Sequence, residues 1–327
     1  MSMVLETGPE ALWKVASRRP DLWLQPKDWQ WLSALEVYGI LGLGQLIGLA
    51  MERGSDPGQL MRLFFNSSLR KEHWIGRAKR VRRLAKTGYI QCHHFPYRPP
   101  VFTLTEKGYG LIKEVGLSRV QGFRHRISET MVAHEMTVAG VGLVLSELLG
   151  LEVLLARERV EWKGRGGRPA TDSRSVPDLW IADDSEPKGV EVERSAKSKE
   201  EYQEKWRSMR LTLPDNGLLL YLTVWPGGKR FIRELAQDYR ADFVLVAELK
   251  EFMQGRGRCQ FVGYQPGKSV ALRPLPIPNA GAAYQRVPPA GPPARQDVSA
   301  GGGPAAGPFA PPPRRVRVGE LTPPQQR

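Results

Sequence analysis

Fifteen of the chain's 27 prolines fall between Pro266 and Arg327, and that crowding decides where a core can form. Each proline fixes φ and removes a backbone donor. Eight glycines share the stretch, and its only aromatic residues are Tyr284 and Phe309. Too little apolar surface remains to offset the entropy of ordering, so residues 265–327 are predicted to form a disordered Pro/Gly-rich tail. Arg314, Arg315 and Arg317 make a small basic cluster near its end, and a proline-rich segment of this kind is a candidate binding strip for a protein partner. Folding is confined to residues 1–264, a length that suits two domains.

Charge narrows the partners. Lys and Arg number 48 against 34 Asp and Glu, a formal charge of +14, which favours a polyanion such as nucleic acid. Cys92 and Cys259 are the only cysteines, so a disulfide scaffold is excluded and a reducing, cytoplasmic setting is expected. The start, Met1 to Glu10, has no basic region followed by an apolar core. No segment offers the roughly 18 uninterrupted apolar residues of a membrane span. The longest apolar run, Tyr38 to Ala50, is cut by Gly39, Gly42, Gly44 and Gly48 and reads as a short buried helix.

After an arm over residues 1–24, the pattern from 25 to 118 is helical, then strand-like, then helical. Pro26 and Asp28 open a segment through Leu35, a second helix runs about Leu43 to Met51, and a third about Leu69 to Lys86, ended by Gly88. Tyr89 to His94 and Val101 to Leu104 make a hairpin around Pro96, Pro99 and Pro100, and Thr105 caps a helix through Val115. Three helices, a hairpin and a closing helix are the order of a winged helix-turn-helix.

Nine basic residues and the single acid Glu72 lie between Arg62 and Lys86. At about 100° per residue, Trp74, Ala78, Val81 and Ala85 form a packing stripe, and Lys79, Arg80, Arg83 and Lys86 project from the other side. Together with Arg77, and with His93, His94 and Arg98 on the hairpin, they are the predicted contacts to double-stranded DNA: phosphates would fix position and arginine or lysine would reach guanine edges in the major groove. A solvated cationic face without a ligand is the plainer alternative. Cys92, His93 and His94 do not make a zinc site, because neighbours on a strand point to opposite faces and no second cysteine pair lies within finger spacing.

Residues 125–264 read as an α/β domain. A helix over Glu129–Leu149 precedes strands at Glu152–Trp162, Pro177–Ala182 and Gly189–Arg194. A helix over Lys199–Leu211, a strand at Leu218–Trp225, a helix at Lys229–Tyr239 and a strand at Ala241–Ala247 follow. The chain overall is α+β. Asp178 begins the second of these strands, and on the third Glu191 and Glu193 share a face while Val190 and Val192 take the other. Acids so clustered repel one another unless a cation lies between them, and Mg²⁺ takes hard oxygen ligands. Asp178 and Glu191 are the candidate metal ligands, and Lys205 on the following helix is placed to offset developing charge on a phosphodiester. Arg157, Arg159, Lys163, Arg165 and Arg168, around the Gly164–Gly167 loop, form a candidate second backbone contact.

The spacing of Pro177-Asp178, then Glu191-x-Glu193, then a lysine-bearing helix resembles the PD-(D/E)xK nuclease core. Joined to the upstream helices, the wing Val101-Phe-Thr-Leu-Thr-Glu-Lys-Gly108 and His134-Glu135 on a helix, residues 28–246 resemble the replication-relaxation family of plasmid and mobile-element proteins. That resemblance implies DNA binding tied to plasmid replication, mobilisation or DNA relaxation, with a nuclease-like second domain. The catalytic set it implies is Asp178, Glu191, Glu193 and Lys205. One departure stands out: Glu193 occupies the place where nucleases of this core carry lysine, so cleavage requires a lysine supplied from the helix. The competing expectation is a noncatalytic transcriptional or replication regulator with a degenerate nuclease fold.

Overall fold

The computed structural model describes residues 24–51, 55–65, 75–96, 98–120, 127–155, 176–182 and 187–273. The fold is mixed α/β, with a small antiparallel sheet and a larger mixed one.

Helix α1 (Pro26–Tyr38) starts where Pro26 presets φ at the first helical position and the Asp28 carboxylate accepts the Gln25 N–H at 2.7 Å. It stops at Gly39, whose φ of 78° is left-handed. Trp29, Trp31, Leu32, Leu35 and Val37 are all buried, so α1 is an interior helix rather than an amphipathic surface one. A two-residue strand β1 (Leu41–Gly42) leads into α2 (Leu43–Leu49), then α3 (Pro57–Phe65) and α4 (Ile75–Lys86). The sequence pattern foreshadows neither β1 nor α3, and the helix expected from Leu69 is described only from Ile75.

Two hydrogen bonds close the end of α4, from Gly88 N–H to Ala85 and from Tyr89 N–H to Leu84, as a glycine beyond a helix terminus allows. The chain then forms the hairpin β2 (Ile90–His93) and β3 (Val101–Leu104), and β3 lies between β1 and β2. Thr105 caps α5 (Glu106–Glu114) by accepting the Gly108 N–H. A Cβ on Gly108 would sit 2.2 Å from the Tyr89 carbonyl, so only glycine lets α5 lie this close to the hairpin.

Helix α6 (Glu129–Leu143) continues as a π turn, Val144–Leu148. Among the described residues, Glu129–Leu148 is the one helix long and apolar enough to cross a membrane, and half of its apolar window is buried inside the fold. There Val138, Val141 and Leu145 join the core.

The large sheet contains β4 (Val153–Leu155), β5 (Leu179–Ile181), β6 (Lys188–Glu193), β7 (Leu218–Thr223), β8 (Val244–Glu248), β9 (Gln260–Val262) and β10 (Ser269–Ala271), in the spatial order β10-β9-β8-β7-β6-β5-β4. Its centre, β6-β7-β8, is parallel, and the pairs outside it are antiparallel. Helices α7 (Lys199–Thr212) and α8 (Gly228–Asp238) link the parallel strands, and α9 (Leu249–Gln254) follows β8. Alternation along each strand divides the core. Val190, Val192, Leu220 and Leu222 face a cluster that also holds Trp31 and Leu35 of α1 and Val141 of α6. Leu219, Tyr221 and Val246 face Tyr202, Trp206 and Met209 of α7 and Ile232 and Leu235 of α8. The helices of the first half therefore share one continuous core with one face of the large sheet, and both halves belong to a single unit, residues 1–277.

One boundary moves. The stretch expected to be tail begins with ordered structure, because Ser269–Ala271 pairs with Gln260–Val262 and Leu272 is buried. Residues 274–327 lie outside the described residues, as do the arm over residues 1–23 and residues 156–175 with the basic glycine loop.

Candidate active site

Strand β6 is buried along all its residues, and two of them are glutamates. Leu179 pairs with Val190 in the antiparallel β5–β6 ladder; one step further along that register Asp178 stands opposite Glu191. The Val192 N–H donates to Asp178 Oδ2 at 2.9 Å. Glu191 and Glu193 point away from the Val190/Val192 side, toward the layer under α7, as alternation requires.

Helix α7 supplies the counter-charge. Ser198 caps it by accepting the Glu201 N–H at 3.2 Å, and Tyr202, Trp206 and Met209 at i, i+4 and i+7 form its buried face. Lys205 flanks that face, and its Nζ lies 2.7 Å from Glu191 Oε2 with 18% of the side chain exposed. From the other side, α6 brings His134, whose Nε2 is 3.2 Å from Asp178 Oδ1. Asp178, Glu191 and Lys205, drawn from the start of β5, from β6 and from α7, thus converge, with His134 as a fourth member.

Glu193 lies close enough for its charge to act on Lys205 and His134, but it pairs with a different lysine. Its Oε2 lies 2.7 Å from Lys197 Nζ, on the segment leading into α7. The sequence offers one sign of this, the i, i+4 spacing of Glu193 and Lys197.

Burial pushes the Glu191 carboxyl up and the charge of Asp178 adds to this, while Lys205 pulls it back, leaving it at about 7. Asp178 is also pushed up by burial, but the His134 hydrogen bond, the charges of His134 and Lys205 and the Val192 N–H outweigh that and hold it below its ordinary value. His134 and Lys205 both lose to burial and gain more from the carboxylates, so both are raised. At neutral pH, Asp178 is anionic, Lys205 is cationic and Glu191 is poised to gain or lose a proton.

One atom in the cluster is unsatisfied. Glu191 Oε1 is buried and accepts no hydrogen bond, whereas Glu191 Oε2 and both oxygens of Asp178 have partners. A buried carboxylate oxygen without a donor calls for a proton or a cation. Among the described residues no group of three or more His, Cys, Asp or Glu side chains is arranged to hold a metal ion by itself, so an ion here would take two carboxylates and complete its shell with water or phosphate oxygens, as Mg²⁺ commonly does.

The basic helix differs in rotation from the sequence reading. Val81 and Leu84 are its buried residues, and Leu84 turns the packed arc toward Arg77 and Arg80. Arg77 is half-buried. Arg80 is not a free cation: Nε lies 3.0 Å from Asp28 Oδ1 and Nη2 2.5 Å from Oδ2, and the Asp28 side chain is completely buried. The Asp28 hydrogen bond raises Arg80 further above its ordinary value against the desolvation that opposes it. The outward charges on α4 are Lys79, Arg82, Arg83 and Lys86, all exposed; Arg82 is an addition. On the hairpin, His94 and Arg98 are exposed. His93 shares a hydrogen bond with Thr103 Oγ1 at 2.8 Å and stacks on Phe95, and burial, then the neighbouring His94, lowers its pKa. It stiffens the hairpin as a neutral ring and offers no charge to a phosphate.

Searches against family models, curated proteins and solved structures returned no match to this chain.

Proposed function

We propose that this chain is a Mg²⁺-dependent DNA-nicking protein of plasmid or mobile-element replication or mobilisation, in which a winged helix-turn-helix holds duplex DNA and a PD-(D/E)xK-like site acts on its backbone. The observation that carries the reading is the unsatisfied Glu191 Oε1 beside Asp178 and Lys205. The exposed Lys79, Arg82, Arg83 and Lys86 supply the cationic face, with His94 and Arg98 on the wing.

Asp178 and Glu191 would hold the ion, which when bound supplies a water of lowered pKa and a Lewis acid for the phosphoryl oxygen. His134 fixes the Asp178 carboxylate through Oδ1 while the Val192 N–H fixes Oδ2, so the carboxylate is oriented before substrate arrives. Lys205 holds a positive charge at Glu191 that offsets charge building on the phosphodiester. It takes the part played in the nuclease core by the lysine that follows the second acid. The aromatic layer of Tyr202, Trp206 and Tyr221 excludes water from that side. Cys92 and Cys259 are unpaired, Cys259 being buried, in keeping with a protein of the cytoplasm, and residues 274–327 are left to a protein partner.

The second reading, a noncatalytic DNA-binding regulator, is favoured by one observation: Lys205 and Lys197 already neutralise Glu191 and Glu193. Calorimetric titration of Mg²⁺ and Mn²⁺ at pH 7 in buffers of different ionisation enthalpy separates the two. The nicking protein takes up metal and releases a proton from Glu191, and both effects vanish in Glu191→Gln. No metal uptake by the wild type leaves the regulator.

A further inference from the structure

Between the β2–β3 turn and α6 lies a cavity of about 350 Å³. Leu63, Phe64 and Phe65 from α3, with Val132 and Met136 from α6, give it apolar walls. Its polar side chains other than arginine are already engaged: Gln45 accepts the Gly42 N–H and donates to the Phe64 and Met136 carbonyls, and Thr137 Oγ1 donates to the Ala133 carbonyl. Two exposed arginines also line it, Arg98 from the hairpin turn and Arg194 from the end of β6.

Two of its lining residues adjoin the carboxylate cluster along the chain. Arg194 directly follows Glu193, and Ala133, another lining residue, precedes His134, whose ring meets Asp178. A ligand suited to these walls has an apolar body and anionic groups at the mouth. A pocket of this size takes a small molecule or a single base and excludes a duplex.

We propose that the cavity receives one unpaired nucleobase of the DNA strand presented to the carboxylates, with Arg98 and Arg194 on the flanking phosphates. The inference rests on the reading of Asp178 and Glu191 as a phosphodiester site and names the substrate feature that site selects. With mostly aliphatic walls and its non-arginine polar side chains already bonded, the pocket would read the unpaired state rather than base identity. A base reaches it either from single-stranded DNA or by rotation out of a duplex.

The full chain is titrated, in EDTA so that nothing is cut, into three oligonucleotides: a single strand carrying 2-aminopurine, a duplex with 2-aminopurine as a one-base bulge, and the same duplex fully paired. The expected result is a saturating change in emission for the bulged duplex, with affinity about tenfold above that of the paired duplex. Ala133→Phe, which fills the cavity, abolishes that preference and leaves paired-duplex binding intact, and Arg194→Ala weakens it. A change in the single strand alone assigns the pocket to single-stranded DNA; a change in the paired duplex assigns it to a flipped base. No emission change in any arm, or a preference that survives Ala133→Phe, overturns the proposal. Failure of metal-dependent nicking leaves these signals untouched, so the two readings fail separately.

Discussion

Glu191 is the residue on which the proposed chemistry turns, and its raised pKa makes a stability statement. Its unfolded value is 4.5 and its folded value about 7, so the folded state holds a proton that the unfolded state has lost across this interval. Stability from this group is complete below pH 4.5 and declines as pH rises to about 7. His134, also raised, declines above its ordinary 6.5; Asp178, lowered, loses its contribution only as pH falls below its ordinary 3.8. Glu191→Gln removes this group together with the part of the His134 shift that its charge supplies. The unfolding free energy of Glu191→Gln minus that of the wild type is expected to grow by about 2 kcal/mol between pH 5 and pH 8, measured by urea denaturation, and saturating Mg²⁺ is expected to flatten the wild-type slope. A difference independent of pH would show that Glu191 is ionised throughout. The alternation of β6 makes the shared face of Glu191 and Glu193 legible from sequence. The partition of their partners is not: whether Lys197 or Lys205 meets a given glutamate depends on the start and rotation of α7, and the approach of His134 depends on packing between elements remote in sequence.

Among the elements, α4 separates what a pattern reveals from what it hides. Charge density is plain in the sequence, but the rotation of the helix is not, because a stripe drawn through Trp74, Ala78, Val81 and Ala85 passes Leu84 by and turns Arg80 outward. The partner that claims Arg80, Asp28, lies on α1 and looks in sequence like an ordinary first-turn acid. β1, β9 and β10, of two or three residues each, carry no readable period, and β10 is lost among prolines for that reason. Asp28→Ala is expected to cost about 3 kcal/mol, since it leaves Arg80 without its buried partner and α1 without its cap, with little change in DNA affinity per folded molecule. Lys79→Ala and Arg83→Ala should do the reverse: unaltered denaturation, and a shallower dependence of duplex affinity on salt, each by about 0.9 in the slope of log K against log salt concentration. Equal salt slopes in all three variants would remove α4 from the DNA contact.

Across the whole molecule, the two halves that the sequence presents as separate domains share one core, with Trp31 and Val190 in the same cluster. Helix α6 is the shared element: α3 packs against it, and its His134 reaches the sheet at Asp178. Under the proposed reading, a duplex held by the first half would be presented to the carboxylates by a fixed body, not by a tethered one, and DNA binding and nicking would respond together to anything that loosens α6. The order of strands and helices from α6 to β8 is legible in the sequence because each long strand is apolar on at least one face, whereas α9, β9 and β10 are not legible there, and the merging of the two cores depends on α1 being buried along most of its length, which its short apolar pattern does not announce.

Conversion of supercoiled plasmid to the open circular form, followed with the full chain in Mg²⁺ and in EDTA, tests the central claim most directly. The expected result is nicking that requires Mg²⁺, disappears in Asp178→Ala and Glu191→Gln, and falls sharply in Lys205→Ala, while all three variants still retard duplex DNA. Nicking that persists in Asp178→Ala, or no nicking by the wild type in Mg²⁺ or Mn²⁺, would contradict it.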